Sequence, residues 1–134
     1  MSFAFLSISV SHRSDFNAEI QSIKNACASQ GVDLYVFVDQ YVLEPGGEIK
    51  MMSAAFSQIR NSLFVISEVS NKAIGVGIEI GYAAALGIPI VYLRNANSEH
   101  SLTVAGVASK SVVYTNATNL EIRLSETLLN LHSK

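Results

Sequence analysis

The stretch from Ile66 to Leu93, ISEVSNKAIGVGIEIGYAAALGIPIVYL, constrains the chain more than any other. It reads as the end of an apolar strand, a glycine-broken loop, a helix of small residues and a second apolar strand. Two strands joined by a helix that closes at Gly87 and Pro89 are not hairpin partners. The crossover makes them parallel, and parallel strands are buried on both faces. One carboxylate, Glu79, sits at the start of that helix, where an acid either stabilises the helix terminus or serves chemistry.

Apolar periodicity extends this unit in both directions. Phe3 to Val10 is rich in β-formers and predicts the first strand. The loop Ser11-His12-Arg13-Ser14 follows, with Ser14 able to cap the next helix. That helix is expected from Asp15 to about Gln30, with Phe16, Ile20, Ile23 and Cys27 on one face and Gly31 just past its end. Leu34 to Val38 predicts the second strand. Gln40 to Gly47 is the longest loop, expected to be mobile, with Tyr41, Val42 and Leu43 as a candidate lid. A helix from Glu48 to Asn61 turns Ile49, Met52, Phe56 and Ile59 to one side, and Met51 and Met52 read as core filler. Leu63 to Ser67 predicts the third strand, Val76 to Leu86 the next helix and Ile90 to Leu93 the fourth strand. A weak helix at Leu102 to Ala108, a fifth strand at Ser111 to Tyr114 and a final helix marked by Leu120, Leu124, Leu128 and Leu131 complete the chain.

A length of 134 residues suits one domain. Alternating strands and helices define the expected fold class: α/β, a single-domain doubly wound five-stranded parallel sheet, flavodoxin- or Rossmann-like, with right-handed crossovers. Five strands favour the order 2-1-3-4-5, whose switch point lies between the first and third strands. Ligands are then expected beyond the C-terminal ends of those strands. That selects two loops, Ser9 to Ser14 and Glu68 to Gly77.

Composition narrows the partners. Hydrophobic residues make up 49% and charged residues 15%, which fits a sheet covered on both faces together with an apolar subunit interface, so a homodimer or larger homo-oligomer is expected. A net charge of −2 with no run of Lys or Arg argues against nucleic acid. No apolar run reaches the roughly 18 residues of a membrane span, and MSFAFLSISV lacks the basic flank and cleavage site of a signal peptide. No membrane partner and a cytoplasmic location are expected. The lone Cys27 forms no internal disulfide, in keeping with a reducing compartment, and reads as a small hydrophobe. His12, His100 and His132 lack ligand-like spacing, so neither a metal nor a cofactor is expected, and no GxSxG elbow occurs.

Gly75-Val76-Gly77 has the outline of a dinucleotide fingerprint, but Gly81 comes one residue late and the motif follows the third strand rather than the first. The two glycines instead let a ligand approach the backbone and the N–H groups of the helix start. Glu79, in the first turn, is expected to be held ionised by the helix terminus, able to attack a sugar carbon or to stabilise an oxocarbenium-like centre. The same position equally suits an acid that only steadies the helix. Ser7, Ser9, Ser11, His12, Arg13 and Ser14 set hydroxyls, an imidazole and a guanidinium ahead of a helix, as a phosphate site would. His12 alone reads more simply as part of a solvated turn. Glu68, at the ligand end of the third strand, either binds a ribose hydroxyl or caps the loop.

On these residues the chain resembles the nucleoside 2-deoxyribosyltransferase family, and within it the 2′-deoxynucleoside 5′-phosphate N-hydrolases. Their corresponding segment has EV followed by GVGYELG, matched at the same spacing by Glu68-Val69 and by Gly75 to Gly81. The resemblance implies that Glu79 is the nucleophile that attacks C1′ of the deoxyribose and displaces the base. It assigns Ser7, Ser9, His12 and Arg13 to the sugar and phosphate, and implies a dimer or larger assembly. Two positions depart from the pattern: the aspartate that assists base departure falls at Ala55, and a serine that meets the phosphate falls at Ala73. These departures motivate an alternative from another class, a non-catalytic nucleotide-sensing module.

The first half carries a second resemblance. FLSISVSHRSDF, VFVDQYVLEPGGEI and SQIRNSLFVIS are similar to a TIR domain, whose enzymatic members use a glutamate to cleave the nicotinamide–ribose bond of NAD. Ser67 to Glu79 has the matching spacing. The tryptophan-cysteine pair usual before that glutamate is missing, with Gly77-Ile78 in its vicinity, and EIGYAAALGIPIV is closer to the deoxyribosyltransferase pattern. Both resemblances imply the same chemistry, scission of an N-glycosidic bond assisted by Glu79, on a nucleoside, a nucleotide or NAD.

Overall fold

The structure, a computed structural model, describes residues 2–131, so His132 lies outside the described residues. Five strands, β1 (Phe3–Ser7), β2 (Asp33–Val36), β3 (Val65–Glu68), β4 (Ile90–Asn95) and β5 (Lys110–Tyr114), pair in parallel in the expected order 2-1-3-4-5. Helices α1 (Asn17–Ala28) and α6 (Ala117–Leu129) cover one face. Helices α3 (Glu48–Asn61) and α4 (Ile74–Ala85) cover the other, joined there by the short α2 (Phe37–Gln40) and α5 (Leu102–Ala105).

Cover on both faces explains the apolar strands. All four residues of β3 are buried. Their side chains alternate, Ile66 joining Leu6 and Leu93 beneath α1 and α6 while Val65 joins Phe5 and Tyr92 beneath α3 and α4. The predicted leucine stripe of α6 is the buried one, with Leu120, Leu124 and Leu128 packed against α1. Cys27 lies in the same layer with no exposed surface, and burial pushes its thiol up to about 12. The α4 terminus closes as its sequence requires. Gly87 takes φ +72°, its N–H donates to the Ala84 carbonyl at 3.1 Å, and the Ile88 N–H reaches Ala83 at 3.0 Å.

Several boundaries differ from the sequence reading, each for a local reason. β1 stops at Ser7 rather than Val10, because the His12 N–H donates to the Ser9 carbonyl at 3.2 Å and the chain winds into a 3-10 helix, Val10–Phe16. Ser14 lies inside that winding and does not cap α1, which starts after Phe16 with no side-chain cap. β2 ends at Val36, and Phe37 and Val38 enter α2. β3 starts at Val65, not Leu63, and runs through Glu68. Helix α3 has the expected bounds, but its inward stripe is Met51, Ala55 and Ile59 at i, i+4, i+8, leaving Ile49 89% exposed. The segment after α2 holds Tyr41 stacked on Phe37, with ring centroids 5.2 Å apart, and exposes Val42 and Leu43. The last weak helix shortens to Leu102–Ala105, with the Ser101 hydroxyl accepting from the Val104 N–H. No helix among the described residues is long and apolar enough to cross a membrane.

The rotated α3 stripe and the α6 leucines give a paired expectation. Leu124→Ala should cost about 2–5 kcal/mol in urea unfolding, whereas Ile49→Ala should stay within about 0.5 kcal/mol.

Candidate active site

Helix α4 begins at Ile74, two residues earlier than its glycines suggest, so Gly75 and Gly77 lie inside it. Nothing within 4 Å meets a Cβ built at either one, so the helix start is open at both positions. Ala73 precedes the helix and offers no side-chain cap. The earlier start moves Glu79 from the first turn into the second, beyond the reach of most of the terminal dipole.

Val76, Ile80 and Ala83 are the buried side of α4, and Glu79 follows Val76 by three residues, which brings its carboxyl toward the sheet. There it meets β1. The Ser7 hydroxyl donates to Glu79 Oε1 at 2.6 Å, across 72 residues of sequence. Ser7 is the last residue of β1 and is 1% exposed. Burial pushes the Glu79 carboxyl up to about 7, with the Ser7 hydrogen bond acting in the opposite direction. The sequence leads one to expect a helix terminus that favours the ionised form of Glu79, whereas in the structure burial acts against that form.

Ser7 pairs with Ser67 in the β1–β3 register, and parallel partners direct their side chains to the same face. Ser67 has no exposed surface, and its hydroxyl finds no hydrogen-bond partner. Sequence reasoning passed over it as a strand residue. The available signal was a hydroxyl set within an otherwise apolar buried strand, since such a group costs free energy unless it is paired.

Glu68 belongs elsewhere. It follows Ser67 on β3, so it points to the α1/α6 face, where it is 2% exposed. Its carboxyl accepts from the Ser70 N–H at 2.8 Å, the Ser70 hydroxyl at 2.9 Å and the Tyr114 hydroxyl at 2.5 Å. Burial raises its pKa, and the Tyr114 and Ser70 bonds pull in the opposite direction. The Tyr114 phenol is raised as well, first by burial and then by the Glu68 charge. The Ser70 hydroxyl also accepts from the Asn95 N–H at 2.8 Å. The Ser70 bonds are those of a loop cap, one of the two roles expected of Glu68 from the sequence.

The connection after β1 makes contacts of its own, and among the described residues none of its side chains bonds Glu79. Ser9 is 5% exposed and its hydroxyl lies 3.0 Å from His12 Nδ1. Arg13 turns toward α2. Its Nε and Nη2 grip the two Asp39 oxygens at 2.9 and 2.8 Å, while Nη1 donates to Asn17 at 2.7 Å. Asp39, separated from Arg13 by 26 residues, was not singled out from the sequence. Ala55 is fully buried on the inner side of α3, and an alanine supplies no polar group there. Among the described residues no three His, Cys, Asp or Glu side chains gather as a metal site requires.

With this geometry in place, kinship can be read. The sequence profile of the nucleoside 2-deoxyribosyltransferase family matches residues 5–131, and the chain belongs to that family. A curated relative, assigned as 2′-deoxynucleoside 5′-phosphate N-hydrolase 1 of Syntrophotalea carbinolica, is 34% identical over 77 residues, covering 55% of this chain and 54% of that protein. The match thus spans about half the length of the relative. The structure of the Clostridium botulinum CMP N-glycosidase BcmB superposes with a TM-score of 0.67 at 17% identity, covering 93% of this chain and 98% of the other. A 3-dehydroquinate dehydratase-like protein from Bifidobacterium longum reaches 0.54 at 12% identity, with 100% of both chains covered. At such identities these two structures share the fold alone, and one fold carries many chemistries.

Glu79 gives a stability expectation whose sign follows from its burial. The folded chain holds the proton up to about 7, against 4.5 for a free carboxyl. It therefore binds more protons than the unfolded chain between these values, and stability falls as pH rises through that window. Relative to Glu79→Gln, the unmodified chain should lose about 1–3 kcal/mol of unfolding free energy across it, read by urea titration at each pH.

Proposed function

We propose that this chain breaks the N-glycosidic bond of a nucleoside or nucleotide and passes the sugar to water or to a second base, with Glu79 as nucleophile. The observation that carries this reading is the Glu79 carboxyl at the β1–β3 switch point. It is held through one oxygen by Ser7, and among the described residues nothing donates to the other. That free oxygen attacks C1′, and the electron pair of the breaking C1′–N bond goes to the base, which takes up a proton. Water or an incoming base then attacks C1′ and releases the carboxylate. Ser7 fixes the carboxyl and stabilises its charged form, so part of the desolvation cost is offset before substrate arrives.

Surrounding groups support the same reading. The buried Ser67 hydroxyl, paired in register with Ser7, keeps a second polar side chain beneath the site. Gly75 and Gly77 leave room for the ring at the helix start. Exposed Ile74 and Ile78 on α4, with Leu86 just past its end, fit a homodimer or larger homo-oligomer. Ala55 supplies no acid, so in this reading the departing base draws its proton from water. The same residue favours a second reading, a nucleotide-sensing module that binds without turnover. Cleavage of NAD by the same glutamate is a variant of the first.

Base release from a panel of deoxynucleosides, nucleoside monophosphates and NAD, followed by chromatography, separates these readings. Release should disappear in Glu79→Gln and, in the unmodified chain, should rise with pH through about 7 as the carboxyl ionises. Ser7→Ala removes the donor that stabilises the carboxylate, so this rise should move to higher pH and the rate at neutral pH should fall. Release that persists unchanged in Glu79→Gln, or that is absent from every compound, would rule out catalysis by Glu79; binding without release supports the sensing module.

A further inference from the structure

Resting on the reading of Glu79 as the nucleophile, we propose that Ser67 is a positioning residue of this site. Its hydroxyl turns onto the Ser7 oxygen once Glu79 carries charge, so that two serines in series hold the attacking carboxylate.

A buried hydroxyl costs stability unless it is paired. Among the described residues four serines are buried, Ser7, Ser9, Ser22 and Ser67. Three have partners: Ser7 donates to Glu79, Ser9 lies 3.0 Å from His12 Nδ1, and Ser22 donates to the Ala117 carbonyl at 2.7 Å. Ser67 has none.

The neighbours of Ser67 on its own face decide what its partner can be. Val65 and Val69, two residues to either side, are apolar. On β4 its register partner is Tyr92, whose hydroxyl is already engaged at the far end of the ring: it accepts from the Ser101 N–H at 2.8 Å and lies 3.2 Å from His100 Nδ1. On β1 its register partner is Ser7. The Ser7 hydroxyl gives its proton to the bond with Glu79, and among the described residues no donor reaches its oxygen. Adjacent strands run about 4.8 Å apart. Turning Ser67 to another staggered position about χ1 therefore brings its hydroxyl onto the Ser7 oxygen.

Charge on Glu79 closes this relay. A carboxylate polarises the Ser7 O–H aimed at it and makes the Ser7 oxygen a stronger acceptor, which a neutral carboxyl does less. Ser67 thus favours the ionised form, the one that attacks. No charged side chain takes the same role. Helix α3, packed on α4, turns Met51, Ala55 and Ile59 inward, β1 and β3 bring the two serines, and neither ion pair among the described residues includes Glu79. Burial holds Glu79 at about 7 in the free chain, so a small bias decides how much of it is ready to react near neutral pH.

Carbon-13 titration of the Glu79 carboxyl, assigned by its disappearance in Glu79→Gln, reads that charge in the full chain without substrate. Ser67→Ala should raise the midpoint by about half to one pH unit. In a Ser7→Ala background the same change should move it by less than about a quarter of a unit, because the relay has lost its middle member. Urea unfolding at about pH 5, where Glu79 keeps its proton, should find Ser67→Ala at least as stable as the unmodified chain, since an unpaired hydroxyl has been removed. A midpoint unmoved in Ser67→Ala overturns the proposal, as does a full shift that survives the loss of Ser7 or a Ser67→Ala chain that is clearly less stable at the lower pH. Base release from nucleosides and nucleotides separates the relay from the reading it rests on. At neutral pH it should fall about threefold to tenfold in Ser67→Ala, and its rise with pH should follow the titration. Release that needs Glu79 and ignores Ser67 defeats the relay and leaves the Glu79 chemistry standing. A titration coupled through both serines, with no base released from any compound, defeats the chemistry and leaves the relay standing.

Discussion

The pairing of β1 with β3 is the constraint from which the rest of the molecule follows. Phe5, Leu6 and Ser7 lie opposite Val65, Ile66 and Ser67, and the direction of strand progression reverses at this pair. Connections on either side must therefore diverge, one to α1 and the other to α4, on opposite faces of the sheet. A gap opens above the strand ends that no connection crosses. The apolar members of the pair fill the two layers, and the polar members at its end, Ser7 and Ser67, are carried into the gap's floor by the same alternation. Burial and reactivity are consequences of one register.

The two acids near this gap show how a shared backbone sorts identical groups into different work. Glu68 and Glu79 are both largely removed from water, and burial raises the pKa of each. Glu68 is met by three donors from Ser70 and Tyr114, which knit the ends of β3 and β5 and, through Ser70 and Asn95, the end of β4. Its hydrogen-bonding capacity is largely used within the chain. Glu79 has a single donor, Ser7. One acid is spent on holding the strand ends together, and the other keeps a lone pair in reserve.

The fold was legible because its signals are local. Leucine spacing in α6, the bounds of α3, the glycine–proline closure of α4 and the order of apolar strands each depend on a few neighbouring residues. Glu79 could be placed at the switch point on the same grounds. Its protonation could not, because the helix start is visible in sequence whereas desolvation by β1 and the packed helices is not. The two roles of Glu68 stayed open for the same reason: the register of alternation decides which face it takes, and a strand one residue longer or shorter at its start does not reveal the Tyr114 hydroxyl. The Arg13–Asp39 fork joins two connections that only the β1–β2 pairing brings together. The misread stripe of α3 has a different cause, since Ile49, Met52, Phe56 and Ile59 also satisfy helical spacing, and only packing against the sheet selects Met51, Ala55 and Ile59.

The single cysteine has a consequence of its own. Cys27 sits in the α1/α6 layer with no exposed surface and a thiol held protonated up to about 12. Only the thiolate reacts with alkylating or oxidising agents. With no exposed surface in the folded chain, Cys27 meets such reagents only when the layer that covers it opens. The protein carries its own counter of how often that layer opens.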